Sequence, residues 1–344
     1  MKARGAGWRD TAATAIMVGC LSSLPEAERV LTVDDESGEV EAALRGRGVE
    51  VVAWRRFATG AGARDARPWP PEGAVDAALI RLPKGRDAQE MVFHAAASRV
   101  RPGGHLVLYG ANDEGIRSMP KRMRRLFGDA DTLDARKHCR VILSTRPAEL
   151  DGLKATLAEW ATRWTLEWDG AARSWLSYPG MFAHGRLDDG TKLLLKTLPE
   201  LERPWRILDY GCGTGVIGAV VLGRCPGVTM DLLDIDALAV AAARENVPGA
   251  RRVLLGDSLD AASGEPYQLI LSNPPIHAGK GEDHSALERL IAQAPARLSR
   301  NGALQMVVQK RVDVRPMLEP SFREVTLVRE NSRFRIWRAA KALR

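Results

Sequence analysis

One turn constrains the fold of this chain more than any other feature. Arg206–Tyr210 (R-I-L-D-Y) is a short apolar run of strand character, and Gly211-Cys212-Gly213-Thr214-Gly215 follows it directly. From Val216 onward the apolar spacing is that of a helix. Alternate glycines permit positive φ and keep side chains out of the space between backbone and ligand. The helix beyond offers unpaired N–H groups at its N-terminus. A strand, a glycine turn and a helix in this order specify an α/β layer with parallel strands and a ligand at the strand's carboxyl end.

The alternation continues along the chain. Strand patterns cover residues 228–233, 252–255, 268–272 and 303–309, with helical patterns at 237–246 and 285–298 between them. Segments near 324–328 and 334–339 suit a closing antiparallel pair. The first half runs in a similar order. A strand at 30–33 leads to Asp34 and Asp35, a helix covers 38–47, and strands cover 49–54, 75–82 and 105–109. Matched to the second half, the 30–33 strand takes the place of the strand that ends in Asp234-Ile235-Asp236. The chain therefore reads as a duplication whose first copy lacks both the glycine turn and the Asn-Pro-Pro turn described below. Its 344 residues suit two domains. The expected bounds are 1–150 for the first copy, 151–178 for a linker and 179–344 for the second copy. Within the linker, Trp160, Trp164 and Trp168 are four apart, which predicts one shared helix face packing the two domains together.

Three acids end strands around the glycine turn. Asp209 lies just before it, where a carboxylate repels a pyrophosphate and suits an ammonium. Asp234 lies nineteen residues after Gly215, where a carboxylate can accept both hydroxyls of a ribose. Asp257 is placed to reach an adenine amino group. This set favours a positively charged cofactor, S-adenosylmethionine, over a dinucleotide, although Gly213, Gly215 and Gly218 also satisfy G-x-G-x-x-G. Asp236 reads as a helix cap.

Ser272-Asn273-Pro274-Pro275-Ile276 follows the fourth strand. The prolines remove two N–H donors and stiffen the turn, and Asn273 is held extended by the proline after it. The turn thus presents acceptors without competing donors: the Asn273 side-chain oxygen and the Pro274 carbonyl. An aromatic amine is a poor nucleophile because its lone pair is delocalised into the ring. Two accepted N–H bonds would hold it at a methyl donor with no metal and no strong base.

These residues resemble a known family. The second half resembles the methyltransferase small domain, and the whole chain resembles the bacterial ribosomal RNA guanine-N2 methyltransferases. The matching stretches are Pro179-Gly180-Met181-Phe182, Leu187-Asp188-Asp189-Gly190-Thr191-Lys192, the glycine turn, the Asp-Ile-Asp segment and Asn-Pro-Pro-Ile. Leu82-Pro83-Lys84 and the segment from Tyr109 to Ser118 are similar to the family's degenerate copy. The resemblance implies two tandem Rossmann-like class I methyltransferase folds, the first degenerate and serving RNA binding or structure. It implies S-adenosyl-L-methionine as cofactor and the N2 amine of a guanine in ribosomal RNA as target. The implied cofactor set is Asp188, Gly190, Thr191, Asp209, Gly211, Gly213, Gly215, Asp234, Ile235, Asp257, Ser258 and Asn273. The implied amine-holding set is Asn273, Pro274, Pro275 and Ile276. The family often carries an aromatic residue after Asn-Pro-Pro, where this chain has Ile276.

Charge supports a polyanionic partner, ribosomal RNA or a ribosomal subunit. The net charge is +7 and the pI about 9.4. Eight cations between Arg117 and Arg140 form one basic run, and twelve from Arg297 onward form another. The base itself must be flipped or unpaired to reach such a pocket. Cys20, Cys139, Cys212 and Cys225 form no C-x-x-C pair, so no metal site is expected and the thiols suit a reducing cytoplasm. The apolar stretch 11–21 follows Lys2, Arg4 and Arg9, but Asp10 interrupts it and no secretory leader is expected. No run is long enough to span a membrane. A monomer is expected. Two further readings share these motifs: methyl transfer to another amine, such as adenine of RNA or DNA or a protein glutamine, and a catalytically silent RNA-binding assembly factor.

Overall fold

The structure, a computed structural model, describes residues 8–202, 204–274 and 284–343. The chain divides between Ala161 and Thr162 into two compact units. The first holds helices α1 (Trp8–Cys20), α2 (Glu39–Arg45), α3 (Arg86–Ala97) and α4 (Met119–Phe127). Its strands are β1 (Arg29–Val33), β2 (Glu50–Trp54), β3 (Val75–Arg81), β4 (Val100–Ala111), β5 (Asp131–Arg136) and β6 (Cys139–Thr145). They form one sheet in the order β2-β1-β3-β4-β6-β5, parallel except for the last two. The apolar stretch after Asp10 is α1, whose Ala13, Ile16 and Met17 are buried in the core.

The second unit opens with a hairpin, β7 (Thr162–Trp168) and β8 (Ala171–Ser177). This corrects the sequence reading of a linker and a tryptophan helix. Trp160 closes a 3-10 turn in the first unit, edge-on to His94 with Lys154 over its ring. Trp164 and Trp168 sit on β7, where a spacing of four also keeps two residues on one face, and both pack on the second unit's core. Spacing by four serves a strand as well as a helix, and Asp169-Gly170 supplies the hairpin's turn, with both residues at positive φ.

Helix α5 (Asp189–Leu195) leads into β9 (Arg206–Tyr210), α6 (Val216–Arg224), β10 (Thr229–Asp234), α7 (Ala237–Asn246), β11 (Arg252–Leu255) and β12 (Tyr267–Ser272). Then come α8 (Ser285–Arg297), β13 (Leu298–Gln309), α9 (Arg315–Leu318), β14 (Phe322–Glu330) and β15 (Phe334–Ala342). The sheet runs β11-β10-β9-β12-β13-β15-β14, with β9 at its centre. Leu208, Leu232 and Leu271 are buried, as both faces of a parallel sheet require.

The two sheets share a wiring, and their registers correct the sequence matching of the copies. β1 pairs in parallel with β2 and β3 as β9 pairs with β10 and β12. The Asp34 N–H donates to Trp54 O at 3.0 Å, as the Gly211 N–H donates to Leu233 O at 2.8 Å. Helix α1 packs on β4 and β6 as α5 packs on β13 and β15. So β1 is the counterpart of β9, not of the strand ending in Asp234. The turn Asp34-Asp35-Glu36-Ser37-Gly38 stands where the second unit has Gly211 to Gly215. Asp34 keeps the positive φ of Gly211, 54° against 72°.

Candidate active site

A pocket opens beyond the carboxyl ends of β9 and β12, with Asp188, Thr191, Gly211, Gly213, Asn273 and Phe182 in its wall. Three of the turn's glycines, 211, 213 and 215, have φ of 72°, 53° and 86°. Their roles differ. A side chain on Gly213 would point into open space, so this glycine leaves the backbone bare to a ligand. A Cβ on Gly215 would meet Val247 at 2.6 Å, and one on Gly218 would meet Leu232 at 2.5 Å. Those two glycines permit close packing of α6 on the sheet and do not line the pocket.

The acids lie under and beside the turn. The Asp234 carboxylate accepts from Gly213 N–H at 2.7 Å and from Asp236 N–H at 2.9 Å, so it braces the turn. Burial and the neighbouring Asp236 raise its pKa to about 6. Asp209 is wholly buried below, and neither carboxyl oxygen has a partner at hydrogen-bond geometry. Burial, then repulsion from Asp234, raises it to about 8, although the Gly218 N–H favours its charged form. The same burial and the two acids push the Cys212 thiol well above its usual range. An unpartnered buried carboxyl is costly. A cation arriving above the turn would offset that cost. The buried acids beneath the uncovered Gly213 backbone therefore fit a positively charged ligand, as an amino-acid sulfonium is.

Asn273 is fixed from the other side. Its Nδ2 donates to Asp188 Oδ2 and to Thr191 Oγ1, both at 3.0 Å. Asp188 also N-caps α5, accepting the Thr191 N–H at 2.9 Å. A carboxylate only accepts, so the amide nitrogen must face Asp188. The Asn273 carbonyl oxygen is thereby left as an acceptor on the opposite side. Gly190 allows this approach: a Cβ there would meet Asp188 Oδ2 at 3.0 Å and the Phe334 ring at 3.2 Å.

Comparison with known proteins agrees with this geometry. The methyltransferase small domain matches residues 173–338, and the methyltransferase small domain N-terminal matches 29–164. The ribosomal RNA small subunit methyltransferase C of Pseudomonas entomophila is 37% identical over 276 residues, 79% of this chain and 81% of that protein. The protein of the same name from Shewanella halifaxensis is 30% identical over 275 residues, 79% of each. The chain belongs to the ribosomal RNA small subunit methyltransferase C family. It is an S-adenosylmethionine-dependent methyltransferase. A solved 16S rRNA N2 methyltransferase from T. thermophilus, in complex with AdoMet and guanosine, has the same tandem fold. Its TM-score is 0.85 at 24% identity, over 97% of this chain and 93% of that one.

The remaining expected residues that are described, Ile235, Asp257, Ser258 and Pro274, are not part of that pocket wall. Asp257 lies two residues beyond β11, and its carboxylate pairs with Arg289 at 3.1 Å. Ser258 caps the 3-10 turn after it, accepting from Asp260 N–H. Ile235 is half-buried between Asp234 and Asp236, and Asp236 caps α7 through Leu238 N–H. Pro274 is buried beside Asn273, while Pro275 and Ile276 lie outside the described residues.

Two supports of the turn carry no sequence signal of their own. Trp175 on β8 donates to Thr214 Oγ1 at 2.9 Å, and Asn246 bridges Leu176 to the Thr214 carbonyl. Their sequence distance from the turn hides them; a tryptophan N–H that must be satisfied when buried was the available hint.

The first unit carries different side chains at the positions that match the second unit's site. By register, Arg55 stands at the place of Asp234 and Arg81 at that of Asn273. Arg55 bonds Glu41 at 2.6 Å, and Arg81 bonds Asp10 at 2.6 Å and Glu114 at 2.9 Å. Guanidinium groups held by acids thus take the positions of the second unit's acid and amide. Arg122, counted by sequence in the first basic run, is buried and bonded to Glu90 and Gln89. Arg117, Lys121, Arg124 and Arg125 remain exposed in or just before α4. Much of the second basic run is neutralised: Glu330 holds Lys310 and Arg335, Glu324 holds Lys341, and Asp260 holds Arg297. Among the described residues no helix is long and apolar enough to cross a membrane, and no cluster of His, Cys, Asp or Glu could hold a metal ion.

Proposed function

We propose that this methyltransferase acts on the exocyclic N2 amine of a guanine in small-subunit ribosomal RNA. The observation that carries the reading is the pinned amide of Asn273. With its nitrogen held by Asp188 and Thr191, its oxygen can only accept. The group that fits is an N–H donor, and an exocyclic aromatic amine has two. The relatives' names direct the choice of polymer to ribosomal RNA of the small subunit.

S-adenosylmethionine, when bound, supplies an activated methyl on a sulfonium that leaves as a neutral thioether. Gly211 and Gly213 would hold its amino-acid end by backbone, with Asp209 and Asp234 supplying negative charge beneath; Asp257 would lie toward its adenine. Asn273 Oδ1 accepts one N–H of the amine, and the Pro274 carbonyl accepts the other. These bonds draw electron density back onto nitrogen and aim its lone pair at the methyl. No base is required before transfer, because the proton leaves nitrogen only after it has become cationic. The exposed cations of α4 would contact phosphates. Such a protein would work in the cytoplasm, where ribosomal RNA is made.

Labelled S-adenosylmethionine offered in parallel to small ribosomal subunits, naked ribosomal RNA, duplex DNA and a protein extract tests the reading. Mass spectrometry should find N2-methylguanine in small-subunit RNA. Label confined to adenine, to DNA or to protein would replace the substrate.

A further inference from the structure

Asn273 reads an edge of the base and leaves its two faces uncovered. A flipped base held only by its edge would keep little of the stacking it loses on leaving the helix, so the pocket needs a flat apolar surface beside Asn273.

Phe182 supplies one. It is 64% exposed, the most exposed large apolar side chain among the described residues. It lies in the same pocket wall as Asn273 and Gly213. The chain is built to place it there. Gly180, Ala183 and Gly185 all have positive φ, at 77°, 50° and 72°. Alanine in that region is strained and persists only where the surroundings hold it. Here Ser177, wholly buried, holds His184 Nδ1 at 2.9 Å and accepts the Gly185 N–H at 3.3 Å. The Met181 N–H bonds back to Tyr178 O, and the Arg186 N–H to Ala183 O. The result drives Met181 into the interior, 6% exposed, and leaves its neighbour Phe182 in solvent. Arg186, exposed in the same wall, adds a cation suited to the target nucleotide's phosphate.

We infer that Phe182 is the stacking platform for the target base, its ring taking a face of the purine while Asn273 takes the amine. The inference rests on the proposed action on an RNA base. The residue after the two prolines is the aliphatic Ile276, so the aromatic surface comes from the segment ahead of α5.

The test compares Phe182→Tyr, Phe182→Leu and Phe182→Ala with the unaltered chain. It measures methyl transfer to small ribosomal subunits and to an unmodified transcript of small-subunit RNA. S-adenosylhomocysteine affinity and thermal midpoint are measured beside it. Phe182→Tyr should keep kcat/KM within about threefold, since its ring still stacks. Phe182→Leu and Phe182→Ala should lose roughly ten- to hundredfold, the range expected for one base–aromatic stack. Affinity for S-adenosylhomocysteine and the thermal midpoint should not move. Leucine matching phenylalanine would overturn the stacking role, because an apolar wall would then suffice. Weakened S-adenosylhomocysteine binding would overturn it by placing the ring on the cofactor. An unaltered protein silent on both RNAs would overturn the RNA reading, and this inference with it.

Discussion

Replacing Asp188 by serine separates two jobs that one carboxylate performs. Asp188 Oδ2 accepts the Thr191 N–H at 2.9 Å and Asn273 Nδ2 at 3.0 Å. Serine caps a helix about as well as aspartate, so stability should change by less than about 0.5 kcal/mol. Its shorter side chain cannot reach Asn273. The amide then keeps only Thr191 Oγ1 and is free to turn its nitrogen toward the substrate amine, donor against donor. A hydrogen bond to a charged acceptor contributes about 1.5–3 kcal/mol. If that energy serves only to orient Asn273, the rate of methyl transfer should fall by roughly 12- to 150-fold at saturating cofactor. Asp188→Asn keeps a carbonyl oxygen for both donors and should lose only about fivefold, the difference between a charged and a neutral acceptor. Asp188→Ala removes the cap as well, costing about 1 kcal/mol and about 2–4 °C in melting midpoint. Single-turnover transfer from labelled S-adenosylmethionine to small-subunit RNA, with calorimetric cofactor binding and thermal melts, reads all three variants. A serine variant with the unaltered rate would refute the orientation argument. A serine variant whose only defect is weaker cofactor binding would move Asp188 to the cofactor wall.

Asn273→Ala should abolish measurable methyl transfer while cofactor affinity stays within about threefold, because the carbonyl acceptor is lost and the glycine turn is untouched; calorimetry beside the transfer assay checks both. Asp209 is a buried acid whose pKa is raised to about 8, so the folded protein binds its proton more tightly than the unfolded chain does. Its stabilising contribution is complete below pH ~4 and is lost as pH rises toward 8. Denaturation of the cofactor-free protein should show this decline, Asp209→Asn should flatten it, and an equal slope in both would remove Asp209 as its source. Cofactor binding near pH 7 should release protons as Asp209 ionises, which calorimetry in buffers of different ionisation enthalpy would detect. Lys121→Glu with Arg125→Glu should weaken RNA binding and lower the salt slope of log K by about one per lost phosphate contact, leaving methylation of free guanosine and the melting midpoint unchanged. An unchanged salt slope would remove α4 from the RNA surface.

What was legible at a distance of a few residues came through intact. The strand–turn–helix at Arg206 to Val216 depends on local φ and on apolar period, and both are written in adjacent residues. The same holds for the Asp236 cap and for Asn273-Pro274, whose stiffness is covalent. The tryptophans failed for a physical reason: a spacing of four keeps residues on one side of a strand as well as of a helix, and here the strand prevailed. The matching of the two copies failed because Asp34-Asp35 looked like Asp-Ile-Asp; only the register of β1 between β2 and β3 shows that it replaces the glycine turn.

The sequence by itself determined the α/β order, the duplicated plan, the glycine turn and the amide that follows β12. These are properties of neighbours along the chain. Only the tertiary structure decided which way the Asn273 amide faces, because its partner Asp188 lies 85 residues earlier. It likewise decided that Asp209 is wholly buried beside Asp234, that Trp175 and Asn246 prop the turn from β8 and α7, and that Arg122 is buried against Glu90. Each is a contact between distant segments, and such contacts exist only after the sheets have packed.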